Sequence, residues 1–218
     1  MLKIQPKSRA VKTTRPYDAS LRQDLARRTR ERIVDVAERR FLRDGYGPTT
    51  IPAIAGDADV SVDTIYKSFG GKPGLIRAIR TRALQGEGLV PAEQRSDELQ
   101  TRESDPREII RGWGRFVTEL APRAAPILLL VHDAARTQPE LEALLKELDA
   151  DRWHRMTDNA RRLYAGGHLR EGISVERAAE VLWTYSSAEL YELLVLRRGM
   201  SLKKYGQFVA DAMMAALL

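Results

Sequence analysis

Thirteen consecutive residues carry most of the groups that could do chemistry: Val60-Ser61-Val62-Asp63-Thr64-Ile65-Tyr66-Lys67-Ser68-Phe69-Gly70-Gly71-Lys72. They hold four hydroxyls, one carboxylate and two cations. One chemistry for such a set is a nucleotide phosphate loop, which needs Gly, four residues, then Gly-Lys-Ser/Thr. Counted back from Gly71-Lys72, the first glycine falls on Tyr66, and the hydroxyl due after the lysine is Pro73. The pattern fails at two required positions. The other chemistry is a short helix that offers hydroxyls and charges to nucleic-acid phosphates and base edges, followed by the start of another helix.

Other reactive residues are few. There is no Cys, hence no disulfide framework and no thiolate nucleophile or ligand. The histidines are His132, His154 and His168. His132 adjoins Asp133, but neighbours on a helix do not face each other. No His-x-x-x-His pair occurs, so no metal, no cofactor and no enzyme activity is expected. Hydrophobic residues make up 43% of 218. The apolar run Ile127-Leu128-Leu129-Leu130-Val131 is far short of the roughly 18 residues a membrane span needs. A cytoplasmic location and no membrane partner are expected. The net charge is +6. Residues 1–30 hold nine Lys/Arg against two acids, so the rest of the chain sums to −1. A polyanion partner, a solubilising disordered tail or a transit peptide would each use such an end.

The elements that must position these groups follow from apolar spacing. Residues 1–17, with Pro6 and Pro16, read as disordered. Ser20 and Gln23 form a capping box. Leu21, Leu25, Ile33, Val36, Ala37 and Phe41 then mark one helical face, and Gly45 ends it. Thr50 caps a helix of about two turns through Ile54, Ala55 and Ala58. Asp59 takes the tight turn, Ser61 caps the next helix, Gly70-Gly71 breaks it, and Lys72-Pro73 opens another. Two short helices across such a turn make a helix-turn-helix. Residues 86–105 read as a loop. A helix from Asp105-Pro106 is interrupted at Pro122 and Pro126. Pro139 opens a long helix to about Ala165, Ser174 caps one over 175–198, and Ser201 caps the last. No alternating strand pattern occurs, and the class is all-α.

Thr50-Ile-Pro-Ala-Ile-Ala-Gly-Asp-Ala-Asp-Val-Ser61, then Thr64-Ile65-Tyr66, Phe69, Lys72 and Leu75, resemble the DNA-binding signature of the TetR family of transcriptional regulators. The upstream Phe41 and Gly45-Tyr46 fit as well. The resemblance is specific over residues 30–80. Asp59 departs from the usual turn glycine, and Ser68 stands where His or Tyr is common. The division expected is a basic arm over 1–19, a helix-turn-helix domain over 20–85, and a ligand-binding and dimerisation domain over 86–218.

In a helix-turn-helix the second helix puts its N-terminal residues at base edges in the major groove. Val62 and Asp63 stand there, suited to a thymine methyl and a cytosine amino group. Lys67, one turn on, suits a guanine or a phosphate. Thr50, Ser61, Thr64, Tyr66 and Lys72 suit phosphates. Plain capping also accounts for Thr50 and Ser61, and core packing for Tyr66.

The resemblance places a small-molecule ligand in the C-terminal region. Trp113, Phe116, Leu128, His132, Trp153, Met156 and Trp183 are its candidate lining, with ordinary core as the alternative. The 175–198 stretch is apolar nearly all round and so must be covered on both sides. A two-fold partner, packing also on the 202–217 helix, would do that. Its candidates are Val181, Tyr185, Ala188, Tyr191, Leu194, Phe208 and Met213. The expected function is a homodimeric repressor of a palindromic double-stranded DNA operator, released by the ligand. A non-specific or architectural DNA-binding protein driven by the basic arm is the alternative.

Overall fold

The computed structural model describes the backbone from Tyr17 and the side chains from Ser20, through Leu218; residues 1–16, and with them most of the expected arm, lie outside it. The elements are α1 (Tyr17–Asp44), α2 (Ile51–Asp57), α3 (Val62–Phe69), α4 (Lys72–Gln85), α5 (Ala92–Arg102), α6 (Pro106–Ala135), α7 (Pro139–Ala165), α8 (Val175–Tyr185), α9 (Ala188–Tyr191) and α10 (Leu202–Leu217). A π-helical turn, Glu192–Arg197, continues α9. No strand occurs among the described residues, and the fold is all-α.

Local chemistry accounts for most boundaries. Thr50, Ser61, Ser174 and Ser201 each accept a backbone N–H from the first turn of the helix they cap. Asp59 takes the turn between α2 and α3 at φ 49°, a conformation Asp tolerates better than most residues.

Four expectations are corrected. α1 already runs at Tyr17, so Ser20 lies inside it rather than capping it. Residues 86–105 are not all loop. Polar α5 forms there because Ala92, Ser96 and Leu99 give it one buried stripe. Pro122 and Pro126 do not interrupt α6, since Ala124, Ala125, Ile127 and Val131 hold that half of the helix in the core. Tertiary packing outweighs the local cost of proline there. Residues 175–198 are not one helix. Ser186 ends α8, and the Ser187 hydroxyl accepts from Leu190 N at 3.2 Å to start α9.

Two apolar cores share α6. The first joins α1–α4 to the C-terminal half of α6 (Ile127, Val131) and to Leu141, Leu144 and Leu148 of α7. The second joins the N-terminal half of α6 (Ile109, Ile110, Trp113) to the end of α7, α8, α9 and α10. The helix-turn-helix unit is therefore packed on the body rather than tethered to it. Arg77 pairs bidentately with Glu147 at 2.7 and 2.5 Å. Arg80 meets Asp151 at 3.0 Å, and Tyr46 donates to Glu140 at 2.6 Å. Where α6 crosses α10 the backbones nearly touch. A Cβ on Gly114 would lie 2.6 Å from the Gly206 carbonyl oxygen, and one on Gly206 would lie 2.6 Å from that of Gly114.

Candidate functional site

α3 is held by what it buries. Ile65 is fully enclosed, and Phe69 is half-buried under the Arg30 guanidinium, 4.3 Å from the ring centre. Arg30 also donates to the Ser68 carbonyl at 3.0 Å. Gly74, in the first turn of α4, completes the mount. A Cβ there would come 1.7 Å from the Phe69 carbonyl oxygen, so only glycine lets α4 close on the end of α3.

With Ile65 inward, the rest of α3 faces water. Val62 and Tyr66 are exposed, Tyr66 at 53%. Asp63 and Lys67 pair across one turn at 2.6 Å, both largely solvated. Ser61 Oγ accepts from Thr64 N at 3.1 Å and lies 2.8 Å from the Thr64 hydroxyl. The Thr50 hydroxyl accepts from Ala53 N at 3.3 Å. Thr50, Ser61, Val62, Asp63, Tyr66 and Lys67 are thus all exposed on the helix-turn-helix, with Thr64 half-buried beside them.

Lys72 differs from its expectation as a bare cation. Its ammonium donates to the Tyr46 carbonyl at 2.6 Å, reaches that of Gly47 at 3.5 Å, and sits 4.0 Å from the centre of the Tyr46 ring. The carbonyls just past the C-terminal end of α1 draw it inward. Burial holds the ammonium below the usual lysine range, while the Glu140 carboxylate pulls it up. Burial, then the hydrogen bond to Glu140, push the Tyr46 phenol up.

A cavity of about 760 Å³ opens in the body beside the end of α4, where Arg80, Thr81, Leu84 and Gln85 join its lining. Trp113, Phe116, Leu128, His132 and Met156 line it as expected; Trp153 and Trp183 do not. Those two rings meet edge to face at 6.4 Å, with Arg152 stacked over Trp183 at 4.1 Å, while the buried Trp183 Nε1 has no hydrogen-bond partner. Sequence reasoning missed the polar wall. Trp113 Nε1 donates to Ser96 Oγ at 3.1 Å, and Gln100 donates to buried Asn159 at 3.1 Å. The Tyr205 hydroxyl, fully buried at the end of a cavity-lining side chain, has no partner. Burial pushes that phenol up to about 12. No spacing in the sequence marks α5 as a wall, because its inward residues are small or polar. His132 Nδ1 lies 2.7 Å from Glu189 across the cavity edge. No group of three His, Cys, Asp or Glu side chains that could hold a metal occurs among the described residues.

The residues expected at a two-fold contact divide. Val181, Tyr191 and Met213 are buried in the chain's own second core and are removed from that list. The break at Ser186-Ser187 turns Tyr191 inward against Tyr205, ring centres 5.7 Å apart. Tyr185, Ala188 and Leu194 are half-buried. Phe208 is 42% exposed and meets Tyr185 edge to face at 6.5 Å. Exposed Leu193, Leu196 and Leu202 were not anticipated. No helix among the described residues is long and apolar enough to cross a membrane.

Comparison with known proteins agrees with this geometry. Residues 33–79 match the model of bacterial regulatory proteins, tetR family. An uncharacterized HTH-type transcriptional regulator, YvkB of Bacillus subtilis (strain 168), is 34% identical over 71 residues, 33% of this chain and 38% of that protein. The match thus spans well under half of that relative's length. Among solved structures, the SmeT–triclosan complex superposes with a TM-score of 0.68 at 25% identity, covering 87% of this chain and 91% of that one. NalD, the secondary repressor of the MexAB-OprM multidrug efflux pump in Pseudomonas aeruginosa, gives 0.72 at 19% over 88% and 98%. Thermus thermophilus FadR with lauroyl-CoA gives 0.57 at 23% over 87% and 95%. YvkB, NalD and FadR are described as transcriptional regulators or repressors. With the helix-turn-helix, its glycine-seated α3 and the all-helical body in place, residues 33–79 are similar to the DNA-binding domain of the tetR family of bacterial regulatory proteins.

Proposed function

We propose that the protein is a homodimeric, cytoplasmic repressor that binds a palindromic operator and releases it when a small apolar ligand fills the body. The observation that carries this reading is α3, seated rigidly at Ile65, Phe69 and Gly74 with its N-terminal face bare. In that seat Val62, Asp63 and Lys67 read base edges, and Thr50, Ser61, Thr64 and Tyr66 hold phosphates. Lys72, tied to Tyr46, acts on DNA only where that tie opens.

The cavity supports the ligand half of the proposal. Its volume lies in the range of drug-sized sites, and the surface it offers is mainly apolar, with charged Arg80, Asp149, Arg152 and Arg155 among its lining. SmeT was solved with triclosan and FadR with lauroyl-CoA. A ligand shifts the operator equilibrium only by its difference in affinity for the two states. Exposed Phe208, with Tyr185 behind it and Leu193, Leu196 and Leu202 nearby in sequence, supports a two-fold face on α8 and α10.

The experiment is selection of duplexes from a random pool by the full-length protein. Enrichment of two inverted half-sites about one turn of DNA apart is expected. Binding without enrichment, steeply dependent on salt, would replace the operator with the architectural role. Triclosan titrated into the operator complex then tests release.

A further inference from the structure

α1 continues N-terminal to the family-matched region, and from Ser20 on its early turns bury no side chain. From Ser20 to Arg32 no side chain is buried, and all but Thr29 are exposed. At about 1.5 Å per residue, residues 17–29 reach about 20 Å beyond Arg30. An uncovered helix of that length is marginal in water, so a surface that covers it is called for.

The structure also fixes where these turns lie. Tyr46, just past the C-terminal end of α1, is tied to Glu140 of the body. Further back, Arg30 is locked onto the last turn of α3 through Ser68 and Phe69. The turns preceding Arg30 therefore run off on the helix-turn-helix side, away from the body. At 100° per residue, Arg22 and Arg27 fall about 80° and 60° to either side of Arg30, which meets α3, with Ala26 and Gln23 between them. Asp24 and Glu31 fall outside that sector, though Arg27 reaches both, at 3.6 and 2.9 Å. Charge points the same way. Residues 1–32 hold ten Lys/Arg against three acids, so all of the chain's excess positive charge lies at or before this helix.

We propose that residues 17–32 form a second DNA-binding element that lies along the sugar-phosphate backbone flanking each half-site, with Arg22 and Arg27 as its phosphate contacts. The inference rests on the operator reading above for its geometry. Such contacts add affinity and salt dependence without reading sequence. They also lengthen the site: the protein covers DNA beyond the bases that α3 touches.

The test uses the full-length chain and two duplexes carrying the selected half-sites, one ending at them and one extended by about ten base pairs on each side. Wild type is expected to bind the longer duplex about tenfold or more tighter, with a steeper salt slope. In Arg22→Ala/Arg27→Ala the two duplexes bind alike, and the salt slope on the longer one falls by about one per lost contact. Arg22→Lys/Arg27→Lys restores the difference. Circular dichroism and Tm follow all three proteins, so that loss of fold is not mistaken for loss of contact. Equal binding of both duplexes by wild type overturns the proposal, as does a length effect that survives the double alanine variant. So does a loss confined to binding of phosphatidylserine vesicles, or a change in mass with DNA binding intact. Failure of the operator reading is separate: wild type would then select no half-sites at all.

Discussion

Asp63 and Lys67 neutralise each other on the exposed face of α3. An exposed pair of this kind contributes well under about 1 kcal/mol to stability, so its purpose is not to hold the helix. Asp63→Ala removes a negative charge from the groove side and frees Lys67. Affinity for random DNA is expected to rise while the preference among enriched sites falls by about 1–3 kcal/mol at one base pair. Competition binding between selected and scrambled duplexes reads both numbers. Tyr66→Phe tests the other role. It keeps the ring and removes the hydroxyl, so selected and scrambled duplexes are expected to weaken by the same factor. Hydroxyls and charges were legible at this scale because exposure follows from helical phase around Ile65. The Lys72 tie was not. It depends on where the Tyr46 and Gly47 carbonyls end up, twenty-six and twenty-five residues back.

Helices were easier to find than their joins. Serine and threonine caps, and glycines after the last apolar position, mark ends by local hydrogen bonding, so α2, α3, α7 and α10 could be read directly. The prolines of α6 and the polar α5 could not. Each is decided by packing partners far along the chain. Gly74 escaped notice for the same reason, as a costly residue in a first helical turn explained only by the carbonyl of Phe69. Gly74→Ala is expected to unseat the C-terminal end of α3, costing about 1–3 kcal/mol and most specific DNA binding. Chemical denaturation and operator titration measure the two losses separately.

A second test at this scale concerns the loop before α5. Glu119 accepts from Arg95 at 2.6 and 3.0 Å and from the Glu87 N–H at 2.6 Å, and chiefly the Arg95 hydrogen bonds hold its carboxyl below the usual glutamate range. Its unfolded value is about 4.3, so the contribution is complete above that pH and disappears as pH falls through the lower folded value. Glu119→Gln is expected to cost about 1–3 kcal/mol at pH 7 and progressively less below pH 4. Urea unfolding across pH shows whether wild type and variant converge on the acid side.

For the whole molecule, exposed Leu193, Leu196, Leu202 and Phe208 lie on the C-terminal elements, and Phe208 is the residue to substitute because it stays 42% exposed even beside Tyr185. Phe208→Glu is expected to leave the protomer folded and turn the proposed dimer into species of 24.6 kDa. Specific operator affinity should drop by orders of magnitude, since two half-sites no longer bind as one unit. Light scattering at micromolar concentration decides it. A wild-type mass of one chain with intact operator binding would remove the two-fold model. All-round hydrophobicity pointed to a covered segment, and the chain's own second core buries part of it. Tyr191 was misassigned because a break at two serines rotates the second half of the segment and no periodicity encodes that angle; Val181 and Met213 were misassigned because the second core itself takes them up.

The crossing of Gly114 and Gly206 ties two of these roles together mechanically. Side-chain contacts slip by changing rotamers, but two carbonyl-bearing backbones at van der Waals distance have nothing to rearrange. α6 and α10 therefore move as one lever with its fulcrum at the glycines. One arm forms the wall behind Trp113 and Phe116; the other carries Phe208. On that reading, filling the cavity is expected to reach the outer face as a tilt, not as a chain of adjusting side chains. Amide exchange around residues 112–116 and 204–208 should accordingly slow or quicken together when the cavity is filled, with neither segment responding alone.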